Sequence, residues 1–156
     1  MSDRYEEIVL GETILRLAPG ARHEAVCARL HERVALSLAR LATVRLLPPR
    51  SIVQLGPGTM VRPDLALLTA ATGKAWLLAE VVDSADHRTD TVVKKSLYED
   101  LRVPRVWMVD PRYDNVEVYH STPYGLALKQ ILAGKDVLRE SLIAEFQIAM
   151  TELFTA

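Results

Sequence analysis

The sequence predicts a mixed α/β fold, with a central mixed β-sheet and a long N-terminal helix on one side of it. Three observations support this prediction: an amphipathic helical pattern over residues 21–43, two apolar runs at residues 64–68 and 76–82, and a later pair of strand-like runs joined by a turn. At 156 residues and 49% apolar composition, the chain is long enough for a substantial core, and it contains no linker-like segment. We therefore expect a single domain over residues 1–156.

The other elements follow from local patterns along the chain. A helix is predicted over residues 89–102, because apolar residues recur at four-residue spacing and Pro104 lies beyond its end. Asp110 to Asn115 have turn chemistry, so the strands on either side should form an antiparallel hairpin. The full predicted order is a short segment at 8–17, helix 21–43, a strand at 52–55, the hairpin of the two apolar runs, helix 89–102, strands at 106–109, 116–120 and 127–132, and a helical turn at 151–154.

Two carboxylates lie within the apolar runs, with Asp64 at the start of the first and Glu80 late in the second. An unpaired buried charge costs several kcal/mol, so these acids need a cation. If the runs pair as a hairpin folded about residue 72, the two acids stand opposite each other at one end of the sheet. Mg²⁺ takes oxygen ligands and commonly uses one or two carboxylates with water and substrate phosphate. The pair is therefore a candidate metal site for phosphate-ester chemistry, or a buried ion pair with an arginine or lysine.

The helix predicted over residues 89–102 carries a lysine toward these acids. Its helical phase puts Lys94 on the apolar face and Lys95 away from it. Asp90, one turn earlier, could hold the Lys94 ammonium in place, and Tyr98, one turn later, borders the same stripe. Lys94 could instead extend to solvent or merely neutralise the acids. The stripe that defines this face consists of Val93, Leu97 and Leu101.

These residues resemble the Uma2 family, a branch of the PD-(D/E)xK nuclease superfamily that is related in fold to restriction endonucleases. The similarity covers nearly the whole chain, and the order and spacing of the motifs carry it. The superfamily lysine usually stands two residues after the second acid, where this chain has Val82, whereas in Uma2-like sequences it lies on the following helix, as Lys94 does. A local departure is Asp83-Ser84-Ala85-Asp86, where the family more often has a turn of serine, proline and threonine. The matching motifs are Arg62-Pro63-Asp64, Ala79-Glu80-Val81-Val82, Asp90-x-x-x-Lys94-x-x-x-Tyr98, Val103-Pro104-Arg105-Val106-Trp107-Met108-Val109-Asp110-Pro111 and Val116-Glu117-Val118-Tyr119.

The resemblance implies a restriction-endonuclease-like core and Mg²⁺-dependent hydrolysis of phosphodiester bonds in DNA, with Mn²⁺ as a substitute metal. It also implies that Asp64, Glu80 and the carbonyl of Val81 hold the metal, that Lys94 orients the attacking water and stabilises charge, and that the products carry a 5′-phosphate and a 3′-hydroxyl. His23, near the centre of the apolar face of the first helix, could reach this site or be an ordinary core histidine. Two alternatives stay open: a catalytically inactive binding domain whose acids and lysine form a structural ion network, and a metal-dependent hydrolase of RNA or a nucleotide.

A row of arginines on the first helix is a candidate surface for nucleic acid. The net charge of −1 counts mildly against constitutive DNA binding. The arginines nevertheless project from one side of the predicted helix, where they could contact successive backbone phosphates or simply keep the helix solvated. The candidate contacts are Arg22, Arg29, Arg33 and Arg40.

Further expectations concern compartment and assembly. The single cysteine, Cys27, excludes an internal disulfide and a multi-cysteine zinc site. The polar start does not resemble a signal peptide, and no apolar stretch approaches the roughly 18 residues of a membrane span, so we expect a soluble cytoplasmic protein. We also expect a homodimer. Trp76, Trp107 and Tyr119 would form its interface if they are exposed, although packing against the sheet explains them better.

Overall fold

The structure, a computed structural model, describes residues 4–83 and 87–155. Within these residues the strands form a six-stranded sheet, a four-stranded sheet and a two-stranded ribbon. The strands are β1 (Tyr5–Val9), β2 (Glu12–Arg16), β3 (Val44–Leu46), β4 (Val53–Gly56), β5 (Thr59–Val61), β6 (Leu65–Thr69), β7 (Ala75–Val81), β8 (Arg105–Asp110), β9 (Asn115–Thr122), β10 (Gly125–Leu132), β11 (Val137–Glu140) and β12 (Ile143–Ala149). The helices are α1 (Ala21–Ser37), a π-helical turn (Thr89–Lys94) that continues as α2 (Lys95–Asp100), and α3 (Met150–Leu153). The predicted mixed α/β fold with a central mixed sheet is confirmed.

The N-terminal part of the chain forms the four-stranded sheet, in the order β2-β1-β5-β4. The predicted segment at residues 8–17 is part of an antiparallel hairpin that starts at Tyr5. Its turn, Leu10-Gly11, has positive φ at both residues, a conformation that glycine adopts without strain. The predicted strand at 52–55 corresponds to β4, whereas the three-residue strand β5 was too short for the sequence pattern to reveal.

Helix α1 packs its apolar face on the six-stranded sheet through Val26, Leu30 and Val34. It ends at Ser37, six residues before the predicted end at 43. The chain after it contributes β3, which pairs antiparallel with β6 at the sheet edge. Pairing with the sheet has therefore overridden the helical pattern at the C-terminal end of the predicted helix.

The six-stranded sheet has the order β10-β9-β8-β7-β6-β3, and the only parallel pair within it is β7 with β8. Alternate residues of β6 and β7 point to opposite sides. Leu67 and Leu77 pack toward α1, while Ala66 and Leu78 pack toward the side that also contains Tyr98. Both runs are thus buried on two faces, as their continuous apolar character predicts. The predicted hairpin of residues 106–109 and 116–120 is confirmed as β8 and β9.

The C-terminal strands close the side of the sheet that α1 covers. β11 and β12 form an antiparallel ribbon, and Phe146 on β12 stacks on Trp107 with ring centroids 5.5 Å apart. The predicted strand at 127–132 and the terminal helical turn correspond to β10 and α3, but the ribbon itself was not predicted. Trp107 and Tyr119 are buried within this chain, which supports packing rather than an aromatic interface for these two.

The predicted helix at 89–102 is real but differs in its winding and in its buried face. The first turn is π-helical, and the α-helical part ends at Asp100. Val93 and Leu101, expected to face inward, are 36% and 40% exposed, whereas Lys94 is 0% exposed. A π-turn contains more residues than an α-turn and so shifts the phase of the helix. Within the part of the chain that the structure describes, no helix is long and apolar enough to cross a membrane.

Candidate active site

The central hairpin brings Asp64 and Glu80 to the same end of the six-stranded sheet. β6 and β7 pair with Leu65 opposite Ala79, so the next ladder position joins Asp64 and Glu80, as the predicted fold about residue 72 requires. The Val81 N–H donates to Asp64 Oδ2 at 2.8 Å, which holds this carboxyl against the end of β7. Asp64 and Glu80 are 3% and 1% exposed. The two acids therefore lie on neighbouring strands in a low-dielectric environment.

The second oxygen of Asp64 faces a group of polar side chains from α1 and the loop after β3. Its Oδ1 atom lies 3.4 Å from His23 Nε2 and 3.5 Å from Arg50 Nη1. Among the described residues, however, no group forms a hydrogen bond with this oxygen. We call the whole group the aspartate cluster; its members are His23, Glu24, Cys27, Arg50 and Asp64.

His23 and Asp64 carry opposite charges in the aspartate cluster, and each shifts the pKa of the other. Burial raises the pKa of Asp64, but the interaction with His23 and the charge of Lys94 outweigh it and hold that pKa below its usual range. Burial lowers the pKa of His23, but Asp64 and then Glu24 outweigh it and raise the pKa to about 9. His23 is therefore a cation at neutral pH. Arg50 donates to both carboxylate oxygens of Glu24 at 2.8 Å, which ties the cluster to the surface.

Glu80 belongs to a second group, on the other side of the central sheet. Lys94 Nζ lies 2.5 Å from Glu80 Oε1 and 2.7 Å from Glu7 Oε2. The Tyr98 hydroxyl donates to Glu80 Oε1 at 2.5 Å. Lys94 thus points inward as predicted, toward only one of the two predicted acids. We call this group the lysine cluster; its members are Glu7, Arg16, Glu80, Asp90, Lys94 and Tyr98.

Glu7 and Arg16 are site residues that the sequence analysis missed. Glu7 on β1 accepts a hydrogen bond from the Arg62 N–H at 2.6 Å and one from Arg16 at 2.5 Å. Burial raises the pKa of Glu7, but Lys94 and then the Arg62 and Arg16 groups outweigh it and lower the pKa. The signal that could have revealed Glu7 is the alternation of Tyr5, Glu7 and Val9 along one face of β1.

From the sequence, Asp90 could hold the Lys94 ammonium; in the structure its ion pair is with Arg16, although its charge still helps to raise the pKa of Lys94. Its Oδ1 accepts a hydrogen bond from Arg16 Nη2 at 2.9 Å, while Lys94 pairs with the two glutamates. The reason is that β2 delivers Arg16 to the side of the helix where Asp90 lies, which the helix alone could not indicate. Burial raises the pKa of Asp90 to about 6, although Lys94 and Arg16 oppose that shift.

The lysine cluster contains three carboxyls, those of Glu7, Glu80 and Asp90, but two cations, Lys94 and Arg16. Burial and the neighbouring acids raise the pKa of Glu80 well above its usual range, although Lys94 opposes this. These surroundings therefore favour the protonated form of Glu80 unless another cation is present. Burial lowers the pKa of Lys94, but Glu80 and Glu7 outweigh it and raise the pKa, so Lys94 stays charged.

The predicted row of arginines is broken. Arg40 lies beyond the end of α1, so it is not on the helix. Arg29 donates to the carbonyls of Leu153 and Thr155. Arg33 donates to the Gln147 carbonyl on β12 and to Glu152. Arg22 pairs with Asp114 at 2.5 Å and donates to the Phe154 carbonyl at 3.3 Å. Three of the four guanidiniums thus hold other parts of this chain.

A small cleft adjoins the aspartate cluster at the end of β7. Its volume is about 230 Å³, and Arg22, His23, Asp83 and Arg112 contribute polar groups to its walls. Asp83 accepts a hydrogen bond from the Gly20 N–H at 3.0 Å; the rest of the unusual turn, residues 84–86, lies outside the described residues. A larger groove of about 1030 Å³ lies around the β6–β7 turn and contains none of the predicted site residues. Of these two openings in the described structure, the small cleft is the one that a predicted site residue, His23, lines.

The donor set fits a hard divalent cation. A buried carboxylate oxygen of Asp64 has no hydrogen bond to any described residue, and Glu80, whose pKa burial and the neighbouring acids raise, lies across the β6–β7 pair. A divalent cation takes oxygen ligands, and it could bind both acids only if one carboxyl turned toward the other, because Asp64 Oδ1 faces His23 while Glu80 Oε1 faces Lys94. The described contacts of Val81 involve its N–H, so a role for its carbonyl stays a prediction.

Comparisons with known proteins agree with this fold. The sequence model of the Uma2 family, described as "Putative restriction endonuclease", matches residues 2–151. The structure is similar to the crystal structure of "a putative nuclease belonging to DUF820" from Anabaena variabilis ATCC 29413, with a TM-score of 0.79 and 14% sequence identity over 96% of this chain and 89% of that chain. At that identity the likeness establishes the fold alone. The search of curated proteins found no match.

Proposed function

The chain belongs to the Uma2 family, and from this premise we propose that it is a Mg²⁺-dependent endonuclease that hydrolyses phosphodiester bonds in DNA, as a single domain over residues 1–156. Membership of the family supports a nuclease function; the metal and the DNA substrate are our additions. The observation that carries the proposal is the buried Asp64 oxygen without a hydrogen-bond partner in the described structure, next to the strand that holds Glu80.

Asp64, Glu80 and the Val81 carbonyl would hold the metal. When bound, Mg²⁺ supplies Lewis acidity to the scissile phosphate and lowers the pKa of a bound water. Glu80 would release its proton on binding, because a nearby divalent charge favours the carboxylate form. The Val81 N–H would keep the Asp64 carboxyl fixed through Oδ2, which leaves Oδ1 as the ligand atom.

Lys94 would act as a positive charge rather than as a base. Its ammonium keeps its proton at neutral pH, so it cannot accept one from water, but it can hold the attacking water and stabilise charge on phosphate oxygens. Glu7 and Tyr98 position it directly and through Glu80. Asp90 would act through Arg16, which also contacts Glu7.

The cationic groups around the small cleft would meet the DNA backbone. His23 is charged and lines this cleft, and its Nε2 faces Asp64. A backbone phosphate that approached the acids through the cleft would therefore meet His23. Of the four arginines proposed from the sequence, Arg22 borders the cleft. Arg29, Arg33 and Arg40 stay as weaker proposals for backbone contacts farther along a duplex.

Plasmid nicking tests this proposal. The wild-type protein should nick DNA with Mg²⁺ or Mn²⁺ and not with a chelator. Asp64→Asn and Glu80→Gln, which change shape little, should abolish nicking, whereas Asp100→Asn, the same chemical change on an exposed residue at the end of α2, should not. Circular dichroism and melting temperature verify that each variant is folded. Unchanged nicking in Asp64→Asn would refute the assignment.

One observation favours a second candidate, a catalytically inactive binding domain. Lys94 already pairs with Glu80 and Glu7, and a proton on Glu80 balances the lysine cluster without any metal. Mg²⁺ distinguishes the two, because a ligand that binds the native state raises the melting temperature. A rise in the wild-type protein that disappears in Asp64→Asn supports the nuclease. The absence of any rise, together with the absence of nicking, supports the binding domain.

Assembly and compartment remain proposals on sequence grounds. We keep a homodimer and the cytoplasm as the expected assembly and location. Light scattering after size-exclusion chromatography measures the first, and a mass of 17.4 kDa, that of one chain, would refute it.

A further inference from the structure

We propose that His23, Cys27 and Asp64 form a second cation site, for a borderline-soft divalent ion such as Zn²⁺, which shares Asp64 with the proposed Mg²⁺ site. The three side chains come from two elements. His23 and Cys27 lie one turn apart on the buried face of α1, and Asp64 precedes β6. This site uses Cys27, which the proposed hydrolysis does not need.

The geometry is close to that of a three-ligand site. One ligand atom from each residue lies within 4.8 Å of the other two. His23 Nε2 and Asp64 Oδ1 are 3.4 Å apart, against about 3.3 Å for nitrogen and oxygen ligands on a tetrahedral zinc ion. Cys27 Sγ lies 3.9 Å from the other ring nitrogen, His23 Nδ1, so the imidazole would have to turn for one nitrogen to share an ion with both Cys27 and Asp64. Rotation of the His23 and Cys27 side chains would complete the site and leave the fourth position for water.

A separate observation points to a missing ligand. Asp64 is almost fully buried, its Oδ1 atom faces His23, and no described residue donates a hydrogen bond to that atom. An ion would satisfy this oxygen. The donor set also discriminates between metals, because thiolate and imidazole favour Zn²⁺ or Co²⁺ while Mg²⁺ takes oxygen ligands.

Two neighbouring side chains, Arg50 and Glu24, would have to move before an ion could bind. Arg50 Nη1 lies 3.5 Å from the same Asp64 oxygen and would repel the ion. It is also paired with Glu24, which is partly exposed, so the two side chains can rotate outward together. Burial, Asp64 and Glu24 raise the pKa of the Cys27 thiol, and His23 is a cation in the metal-free protein, so both would release a proton to water as the ion binds and would ligate as thiolate and neutral imidazole. Replacing Arg50 with glutamine should therefore strengthen zinc binding.

Sharing of Asp64 makes the two ions competitors. Zn²⁺ bound through Oδ1 would withdraw that oxygen from Mg²⁺, so zinc should inhibit hydrolysis; this consequence rests on the proposed function, whereas zinc binding does not. The inference therefore adds a regulatory ligand to the candidate active site.

Cobalt titration tests the site without any activity assay. Because Cys27 is the chain's single cysteine, a thiolate-to-Co²⁺ charge-transfer band in the near ultraviolet reports this residue alone. We expect the band in the wild-type protein, its loss in Cys27→Ser and Cys27→Ala, and its displacement by Zn²⁺. Zinc affinity should fall at least about tenfold in His23→Gln and Asp64→Asn, and should not fall in His120→Gln, a matched loss of imidazole outside the cluster.

The possible results separate cleanly. No band in the folded wild-type protein, or a band with the same zinc affinity in His23→Gln and Asp64→Asn, would overturn the proposal. Zinc inhibition of Mg²⁺-dependent nicking should weaken at least about tenfold in Cys27→Ser, relative to that variant's own activity. If the wild-type protein shows the band but never nicks DNA, the proposed function fails and the zinc site stands; if it nicks without a band, the reverse holds.

Discussion

The two buried polar clusters on either side of the central hairpin differ in how completely they are paired. In the lysine cluster each carboxylate contacts a cation, and Lys94 and Arg16 each join two acids. In the aspartate cluster the cationic nitrogens of His23 and Arg50 lie 3.4 and 3.5 Å from Asp64 Oδ1, against 2.5–2.9 Å for the ion pairs of the lysine cluster, and His23 reaches the wall of a cleft. A closed network holds groups in place, whereas an open one leaves a position for a ligand. We therefore expect the lysine cluster to hold groups in position and the aspartate cluster to bind a ligand.

Removing the Lys94 charge from the lysine cluster should have the largest effect on stability. Lys94→Met would leave Glu7 and Glu80 buried without their shared cation, so the free energy of unfolding should fall by about 3–5 kcal/mol at neutral pH. Urea unfolding, followed by tryptophan fluorescence, measures this. Adding Glu80→Gln to the variant should recover part of the loss. Lys95→Met is the matched control, since Lys95 contacts the Tyr119 ring instead. Equal losses in the two single variants would contradict a closed cluster.

Titration of His23 should produce the next largest effect, in the aspartate cluster. Its pKa is raised to about 9 in the folded state, so its stabilisation is fully present below its unfolded value of about 6.5 and is lost as pH rises through 9. In chelator, wild-type stability should therefore fall by up to about 3 kcal/mol between pH 6.5 and 10, relative to His23→Gln. Parallel pH profiles for the two proteins would show that His23 does not pair with Asp64.

Asp64→Asn should cost less stability than Lys94→Met. Asparagine keeps an oxygen for the Val81 N–H, and the lost charge leaves the buried His23, which still contacts Glu24, and the partly exposed Arg50, rather than two buried acids. We expect about 1–2 kcal/mol in urea unfolding. A loss as large as that of Lys94→Met would mean that Asp64 is part of the structural network, against the distinction between the clusters.

The smallest effect is expected on the outer face of α1. Arg33 pairs with the exposed Glu152, and exposed ion pairs contribute little. Arg33→Gln should leave the urea midpoint unchanged within error, and its DNA affinity should show the same dependence on salt as the wild-type protein. If the DNA affinity of Arg33→Gln depended less on salt concentration than that of the wild-type protein, Arg33 would contact a phosphate after all.

The sequence predicted the parts of the site that local patterns determine. Two continuous apolar runs predicted the two strands, the structure agrees with the register assumed for them about residue 72, and helical phase indicated that Lys94 points inward. The alternation along β1 could indicate that Glu7 faces inward, but no local pattern shows that Glu7 and Arg16 pair with Lys94 and Asp90, because those contacts depend on a hairpin docking against a distant helix. For the same reason, Asp90 was assigned to Lys94 rather than to Arg16.

Contacts between distant parts of the chain also determine the elements of the fold that the sequence did not predict. The end of α1 was predicted six residues late, since pairing of β3 with β6 competes with a pattern that still looks helical. The ribbon of β11 and β12 lacked a clear signal, although its Phe146 covers Trp107 in the core. Tertiary contacts decide such segments, and a single sequence does not show those contacts.

The most direct test is a crystal soaked in Mn²⁺ and measured for anomalous scattering. A peak coordinated by an oxygen of Asp64 and an oxygen of Glu80, with Lys94 still inside the protein, is the predicted result. Density without a peak there, and with Glu80 still paired to Lys94 alone, would contradict the claim that these acids form a metal centre.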